Sequence, residues 1–536
     1  AGRPPAPFGE CGPDPTNDQA LTCNFFAPCV GLGDQALAGH VLRRIAYGPT
    51  PDLQDTVTEN GALAYINEQL FPENIDESGN ALLNTYLGPL NPDVLYTDLY
   101  KLQFVRGLYS ERQLQELLTN FFDNHFNTNI FTVRNYFRNL HDDQGNPIYT
   151  STTALREATY HEWLENEAFR SGAVGDFYEL LEANATSVTM LIYLDNISNV
   201  ASEPNENYGR ELLELHTMGV DNGYDQEDIE EVARCFTGWT ICKVAPEDVG
   251  DPHAPCLLPE DPTGVWDFHF DPDTHDYDSK LIFAGTSYQI FIATGDPIGA
   301  PELGIEDGFV VLEQLAVLAQ TAEFLSTKLI QKIVSDEVPA PFLAASIATW
   351  LSSGGNLREV LTHLLTSDEF LGTAHRWNKV DTPMEFLLST VRALEGVTNT
   401  QVIQNALGAL GHLPFTFNTP DGFPESGHDQ MGTAKFLERF KFNKRIYENS
   451  DPAYDLVTLL SSHSVTLDDV NAIVDFFLEL LYPGNVSAED LQLAIDFLST
   501  DDLGNAIPLD PMAGDYESRI EKFAAFLASY PQGIKQ

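Results

Sequence analysis

Apolar side chains return every three to four positions along most of this chain, a spacing that commits it to packed helices rather than to extensive sheet. The pattern is plain in YSERQLQELLTNFFDNHFN, from Tyr109 to Asn127. There Leu114, Leu117, Leu118, Phe121, Phe122 and Phe126 fall at core spacing, behind a Ser110/Gln113 pattern that predicts a capping box. It recurs from Asn205 to Thr240, where Asn207, Arg210, Glu211 and Glu214 share one helical face and Tyr208, Leu212, Leu215 and Gly219 share another. Gly219 and Gly223 bracket a turn after that helix. Asp225 with Asp228 is an N-cap pattern for a second one, carrying Ile229, Val232, Ala233 and Phe236 at the same period.

The period breaks between residues 241 and 305. VWDFHF, from Val265 to Phe270, alternates, with Trp266, Phe268 and Phe270 on one face, and KLIF and SYQIFI follow around a glycine turn. These segments predict a small antiparallel sheet. Helical spacing resumes from Gly308 through Glu395, fades in the Gly, Pro and Asn-rich stretch 411–434, and returns to the C-terminal end. The predicted fold class is therefore mostly α: a large multi-helix body with a small antiparallel β insertion. It divides into an extended Pro, Gly and Cys-rich arm (1–35), a helical region (36–240), a disulfide loop with the β insertion (241–305) and a second helical region (306–536). No low-complexity linker interrupts the 536 residues, which favours one large body with a smaller lobe over separate average domains. An ordered arm would need Cys11, Cys23 and Cys29 in disulfides, or a neighbouring subunit.

With 28 basic against 80 acidic residues, the formal charge of -52 repels nucleic-acid phosphates and anionic lipid. No stretch approaches the length of a transmembrane helix. FVVLEQLAVLAQ, Phe309 to Gln320, is broken by Glu313 and Gln314. The chain opens at Ala1 without a charged or apolar leader, as a mature exported protein would. Six cysteines favour disulfides, Cys242 with Cys256 first, while Cys235 on a helix also reads as a buried thiol. There is no CxxC for zinc and no CxxCH for covalent haem c. GLGDQA, Gly31 to Ala36, follows Pro28 and Cys29 rather than a strand, which argues against a nucleotide loop. Asn184, Asn196 and Asn485 stand in glycosylation sequons.

The NENYGRELLELHTMGV run resembles the signature of a secreted bacterial family, domain of unknown function eighteen-hundred. HVLRRIAYGPTP (His40 to Pro51), the Tyr109–Asn127 helix, LIYLDN (Leu191 to Asn196), FHFDPDTHDYDSK (Phe268 to Lys280) and KVDTPMEF (Lys379 to Phe386) extend the resemblance. So do GHLPF, TPDGFPE and the closing RIEKFAAFLAS. It implies a mostly helical exported protein without an agreed reaction, often encoded beside an uncharacterised family that resembles alkaline phosphatases.

Three constellations are candidate sites. The first is the strip Asn207, Arg210, Glu211 and Glu214, with His216 nearby; its bland reading is an exposed i,i+4 ion pair. The second is the loop Asp271, Asp273, His275, Asp276 and Asp278, whose oxygen-rich donors suit calcium or another divalent cation, although an acidic turn explains most of them equally. His275 and Asp276 match the family landmark. The third is Asp123, Asn124, His125 and Asn127 at a helix end, where a hydrogen-bonded core histidine is the ordinary outcome. If the three segments converge, His125, Arg210, Glu211, Glu214, His216, His275 and Asp276 are the catalytic candidates, with Glu211, Glu214, His275 and Asp276 as metal ligands. No GxSxG, HExxH or P-loop is present. The leading expectation is an extracytoplasmic binding or assembly component that contacts itself or another exported protein, such as the alkaline-phosphatase-like neighbour. The alternative is a metal-assisted hydrolase of extracellular polysaccharide or phosphate esters.

Overall fold

The computed structural model describes residues 12–13, 21–22, 34–427, 432–448, 451–501 and 503–536. Helices dominate it, as the periodicity predicts. In the arm, Gly12–Pro13 pairs antiparallel with Leu21–Thr22, a short ladder that the proline-rich reading did not foresee. Cys11, Cys23 and Cys29 lie outside the described residues, and with them the expectation that they hold the arm.

The body begins at the Gln35–Ile45 helix, which Asp34 caps through the Leu37 N–H at 2.9 Å. It buries His40, Arg43 and Arg44 together with its apolar residues. The Gln113–His125 helix is central, with Leu114, Leu118 and Phe122 fully buried. Its start differs from expectation: Gln113 is the first helical residue, not the third, so no Ser110 capping box closes. The Gln113 amide instead accepts from the Tyr47 N–H and donates back to the Ser110 carbonyl, and Ser110 donates to Glu77 and Glu116. The Asp225/Asp228 box does form on Gln226–Cys235.

The signature helix changes pitch part-way. It is α-helical over Glu206–Glu211 and continues as π-helix over Leu212–Thr217, with the Met218 N–H bonding to Leu213 O and the Thr217 hydroxyl to Leu212 O. A wider turn advances each residue by a smaller angle. Consequently His216 rotates into the core while Leu215, assigned to the packing face by α spacing, is only half-buried. Gly209 lets this helix approach the next closely, since a Cβ there would lie 3.2 Å from the Ala233 nitrogen.

The β insertion consists of two separate hairpins rather than one sheet. Trp239–Val244 pairs with Val265–Phe270, and Lys280–Ile282 pairs with Ile290–Ile292. The Cys242–Cys256 disulfide ties the first hairpin to its long connection, and Cys235 is a buried free thiol. Beyond it, the Pro301–Ile305 turn and Glu306–Ala316 lead into Ala319–Ile333. The pair Pro301–Ala316 and Ala319–Ile333 reaches spanning length only across a 61° bend, and among the described residues no single helix is long and apolar enough to cross a membrane. A large apolar core joins residues 37 to 442, and a smaller one gathers residues 393 to 530 into a lobe of its own. Asn184 and Asn196 are buried, so their sequons are sealed in the folded chain.

Candidate functional site

The C-terminal end of Gln113–His125 is where distant landmarks meet. Asn124 clamps the 419–425 loop: its Oδ1 accepts from the Phe423 N–H at 2.7 Å, and its Nδ2 donates to the Phe423 carbonyl at 2.8 Å and to Glu425 at 3.0 Å. Asn127 donates to Thr419 O at 2.9 Å, and Asn129 to Thr416 O at 3.0 Å. Gly422 sits at φ 68° against this end, where a Cβ would fall 2.3 Å from the Asn124 carbonyl oxygen. Between helix and loop lies a cavity of about 30 Å³, lined among others by Asp123, Asn124, Lys332, His412 and Glu425. It suits a water or a bare ion rather than an organic substrate.

Behind the cavity, His125 and His216 come together in the core. Lys328 donates to His125 Nδ1 at 3.0 Å, which makes Nε2 the protonated nitrogen and donor to the His216 carbonyl at 3.0 Å. Lys328 also lies 3.8 Å from Glu425. Burial, then the Lys328 charge, pushes His125 well below the ordinary histidine range and His216 down to about 3. Both imidazoles are neutral. The His216 ring nitrogens have no hydrogen-bond partner, so its role is packing against Phe126.

Arg210, Glu211 and Glu214 point outward. Arg210 bonds Glu206 at 2.9 Å, reaches Glu214 at 3.6 Å and shares Gln226, the geometry of a half-exposed helical ion pair. Asn207 donates to the Leu194 carbonyl. Burial and the neighbouring Glu214 raise Glu211.

His275 and Asp276 belong to a different cluster. His275 Nδ1 meets the Thr237 carbonyl at 2.7 Å and Nε2 meets Asp307 at 3.3 Å, while Lys280 bonds Asp307 at 2.7 Å. Arg234 grips Asp276 with Nε at 2.7 Å and Nη2 at 3.2 Å. Although burial pushes Asp276 up, that guanidinium holds it below the usual carboxylate range. Asp271 caps its own turn through the Asp273 N–H, and Asp276 caps the Asp278 N–H. The Gln226–Cys235 helix separates the two groups. Its Ile229 and Ala233 backbone abuts Gly209, and its Asp228, Glu231 and Arg234 side chains reach residues 276–283. Glu211 and Glu214 are thus not brought together with His275 and Asp276. The ligating atoms of Cys242, Cys256 and His269 do lie within 4.8 Å of one another, but the two sulfurs are joined in the disulfide.

Two buried charged centres border the cavity, and of their residues the sequence reading singled out only Asp123. One is cationic: Lys332 bonds Glu385 at 2.7 Å, Lys379 lies 4.0 Å from the same carboxylate, and Arg439 donates to the Asp381 carbonyl at 2.8 Å. Although burial raises it, Glu385 is held far below the usual range by Lys332 and Lys379. Burial, with Glu385 beside it, lifts Asp381 to about 6. The other is anionic: Asp123, with Glu162 and Glu165 from the Ser151–Gly172 helix. The signal was present, because Ala154, Ala158, Glu162, Glu165 and Phe169 share one helical face, carboxylates included.

The chain matches, over residues 40–148 and 146–514, the model of a family described as protein of unknown function (DUF1800). No curated protein and no solved structure matches.

Proposed function

From the premise that the chain belongs to the DUF1800 family, we propose that it is an exported binding or assembly component acting outside the cytoplasm, not a metal-assisted hydrolase. The observation that carries this reading is an apolar groove of about 340 Å³ on the smaller lobe, lined by Phe440, Tyr447, Phe497 and Phe526 with Lys444 and Lys522. Phe440 and Phe497 are exposed on a surface otherwise dominated by carboxylates, and contiguous exposed aromatics mark contact surfaces. Of the two cations in the groove Lys444 is already paired with Glu448 and Lys522 remains to meet a carboxylate, so its complement is an aromatic or aliphatic segment of another exported protein that carries carboxylates. The alkaline-phosphatase-like neighbour is one such protein to try. Export is supported by the Cys242–Cys256 disulfide. The hydrolase alternative draws no comparable support, since the His125 and His216 imidazoles are sealed and the two candidate ligand pairs are apart.

The experiment is site-specific photo-cross-linking from position 440 in the native exported fraction. The reading expects one dominant adduct, lost when Lys444 and Lys522 are reversed to Glu in a chain that keeps its helical circular dichroism. No adduct, or one indifferent to lysine reversal, contradicts it.

A further inference from the structure

One face of the first hairpin gathers sulfur and nitrogen donors that neither the cavity nor the groove uses. Trp239–Val244 pairs with Val265–Phe270 so that Cys242 stands opposite Asp267 and Thr240 opposite His269. Alternation along the strands then puts Cys242, Asp267 and His269 on the same side of the ladder. The connection returns Cys256 to that side, and one ligand atom each from Cys242, Cys256 and His269 lies within 4.8 Å of the other two. Among the described residues no other three histidine, cysteine or carboxylate groups converge as closely.

Cys256 does not owe its place to the disulfide alone. The residues that follow the two cysteines form an antiparallel bridge, with the Leu257 N–H donating to the Lys243 carbonyl at 2.7 Å. The Lys243 ammonium donates to the Asp261 carbonyl at 2.8 Å, the Phe270 N–H to the Pro252 carbonyl at 2.9 Å and the Gly250 N–H to Asp267 at 2.6 Å. With the S–S bond opened, these contacts still hold both sulfurs beside the imidazole.

The imidazole is itself set for a ligand. His269 Nδ1 is buried without a hydrogen-bond partner, while the Pro252 carbonyl bonds the ring. A carbonyl on one ring nitrogen fixes the tautomer and leaves the other lone pair free, an arrangement that metal-binding histidines share. Asp267 is not free to join, because its two oxygens accept from the Gly250 and Phe268 N–H groups. Two sulfurs and an imidazole nitrogen select a thiophilic cation such as zinc or copper(I) over calcium or magnesium. A fourth position is left for water or an outside ligand.

We propose that Cys242, Cys256 and His269 form a thiol-gated binding site for a thiophilic cation of the zinc and copper(I) class, closed while the two cysteines are joined and open once they are reduced. Cys256 is exposed and Cys242 half-buried, so a thiolate of an external dithiol attacks Cys256 Sγ. The S–S bond breaks, Cys242 leaves as a thiolate and a mixed disulfide forms on Cys256. The reductant's second thiol then displaces Cys256 and closes its own disulfide, so two electrons and two protons pass from the dithiol to the pair. The cation displaces both protons as it binds. Transfer of the two electrons to a disulfide oxidant rejoins the sulfurs and releases the ion.

The test uses the full chain in oxygen-free buffer, reduced and freed of reductant, beside its oxidised form. Zinc is titrated against a chromophoric chelator, and cadmium serves as the spectroscopic probe of thiolate ligation. Because four of the six cysteines lie elsewhere, the reference is the doubly substituted Cys242→Ser/Cys256→Ser chain. The reduced parent should bind one equivalent of zinc more than that reference, and cadmium should give a thiolate charge-transfer band that the reference lacks. The oxidised parent should show neither, and oxidation of the loaded chain should release the ion. His269→Gln should weaken binding by more than about tenfold, the least that loss of a partner outside the ligand shell costs. Equal zinc uptake by the reduced parent and the reference overturns the proposal, and so does unchanged affinity in His269→Gln, which would leave a dithiol without the imidazole. A reduced chain that loses its helical circular dichroism both with and without zinc overturns it as well.

Discussion

Two centres a few turns apart bury ionisable groups to the same depth and reach opposite electrostatic outcomes. Around Glu385, Lys332 and Lys379 stand close enough that the carboxylate stays charged despite complete burial. Around Glu165 there are only hydroxyls, amides and other carboxylates, and burial lifts its carboxyl to about 7. Depth is common to both, so the counter-charge decides ionisation. The first centre balances its carboxylate's charge within the protein; the second does so only with protons. Both border the cavity that the 419–425 loop closes, through Lys332 on one side and Asp123 on the other.

The comparison can be broken hardest at Glu385. Replacing it with Gln leaves Lys332 and Lys379 buried without their anion, and should cost about 3–5 kcal/mol, read from urea unfolding. A loss near that of a surface substitution would mean that the cationic centre is not held by its ion pairs.

A smaller effect sharpens the other side. The Glu165 carboxyl is raised from 4.5 in the unfolded chain to about 7 in the folded one, so the fold favours the proton. Its contribution to stability is fully present below the unfolded value and is lost as pH rises through about 7. The unfolding free energy should fall by about 3 kcal/mol from this group across that window, and Glu165→Gln should flatten the slope. The His216 imidazole, pushed down to about 3, acts in the opposite direction: its contribution is present above the ordinary histidine value and is lost as pH falls toward about 3. The two regimes separate in a pH series of urea midpoints.

The smallest effect is expected outside both centres. Arg210→Ala removes a half-exposed pair and should change stability by less than about 1 kcal/mol. A larger loss would place the signature strip among the structural ion pairs after all.

Local pattern carried much of the architecture. Core positions on Gln113–His125 and the capping box on Gln226–Cys235 follow from spacing alone, because neighbours along a helix determine both. The π turn was invisible, since the residues of Leu212–Thr217 suit either pitch and only packing selects the wider one. The Ser110 box failed because Gln113 found a better use in capping the distant Tyr47 N–H. At the site, His125 is the hydrogen-bonded core histidine that its place at a helix end suggested, and its partners come from Lys328 and the His216 carbonyl while Asn124 beside it holds the 419–425 loop, separations that no local pattern encodes. Glu162 and Glu165 were passed over because a carboxylate in an acidic chain reads as solvated, although both lie on the apolar face of their helix.

The most direct test of the contrast between the centres is the urea midpoint of Glu162→Gln, measured beside Glu385→Gln under the same conditions. Gln retains an acceptor for the Thr128 hydroxyl and adds an N–H for the unpartnered amide oxygens nearby. The account predicts an unchanged or higher midpoint for Glu162→Gln while Glu385→Gln loses about 3–5 kcal/mol. A loss in Glu162→Gln as large as that in Glu385→Gln would contradict it, because the anionic centre would then have a counter-charge of its own.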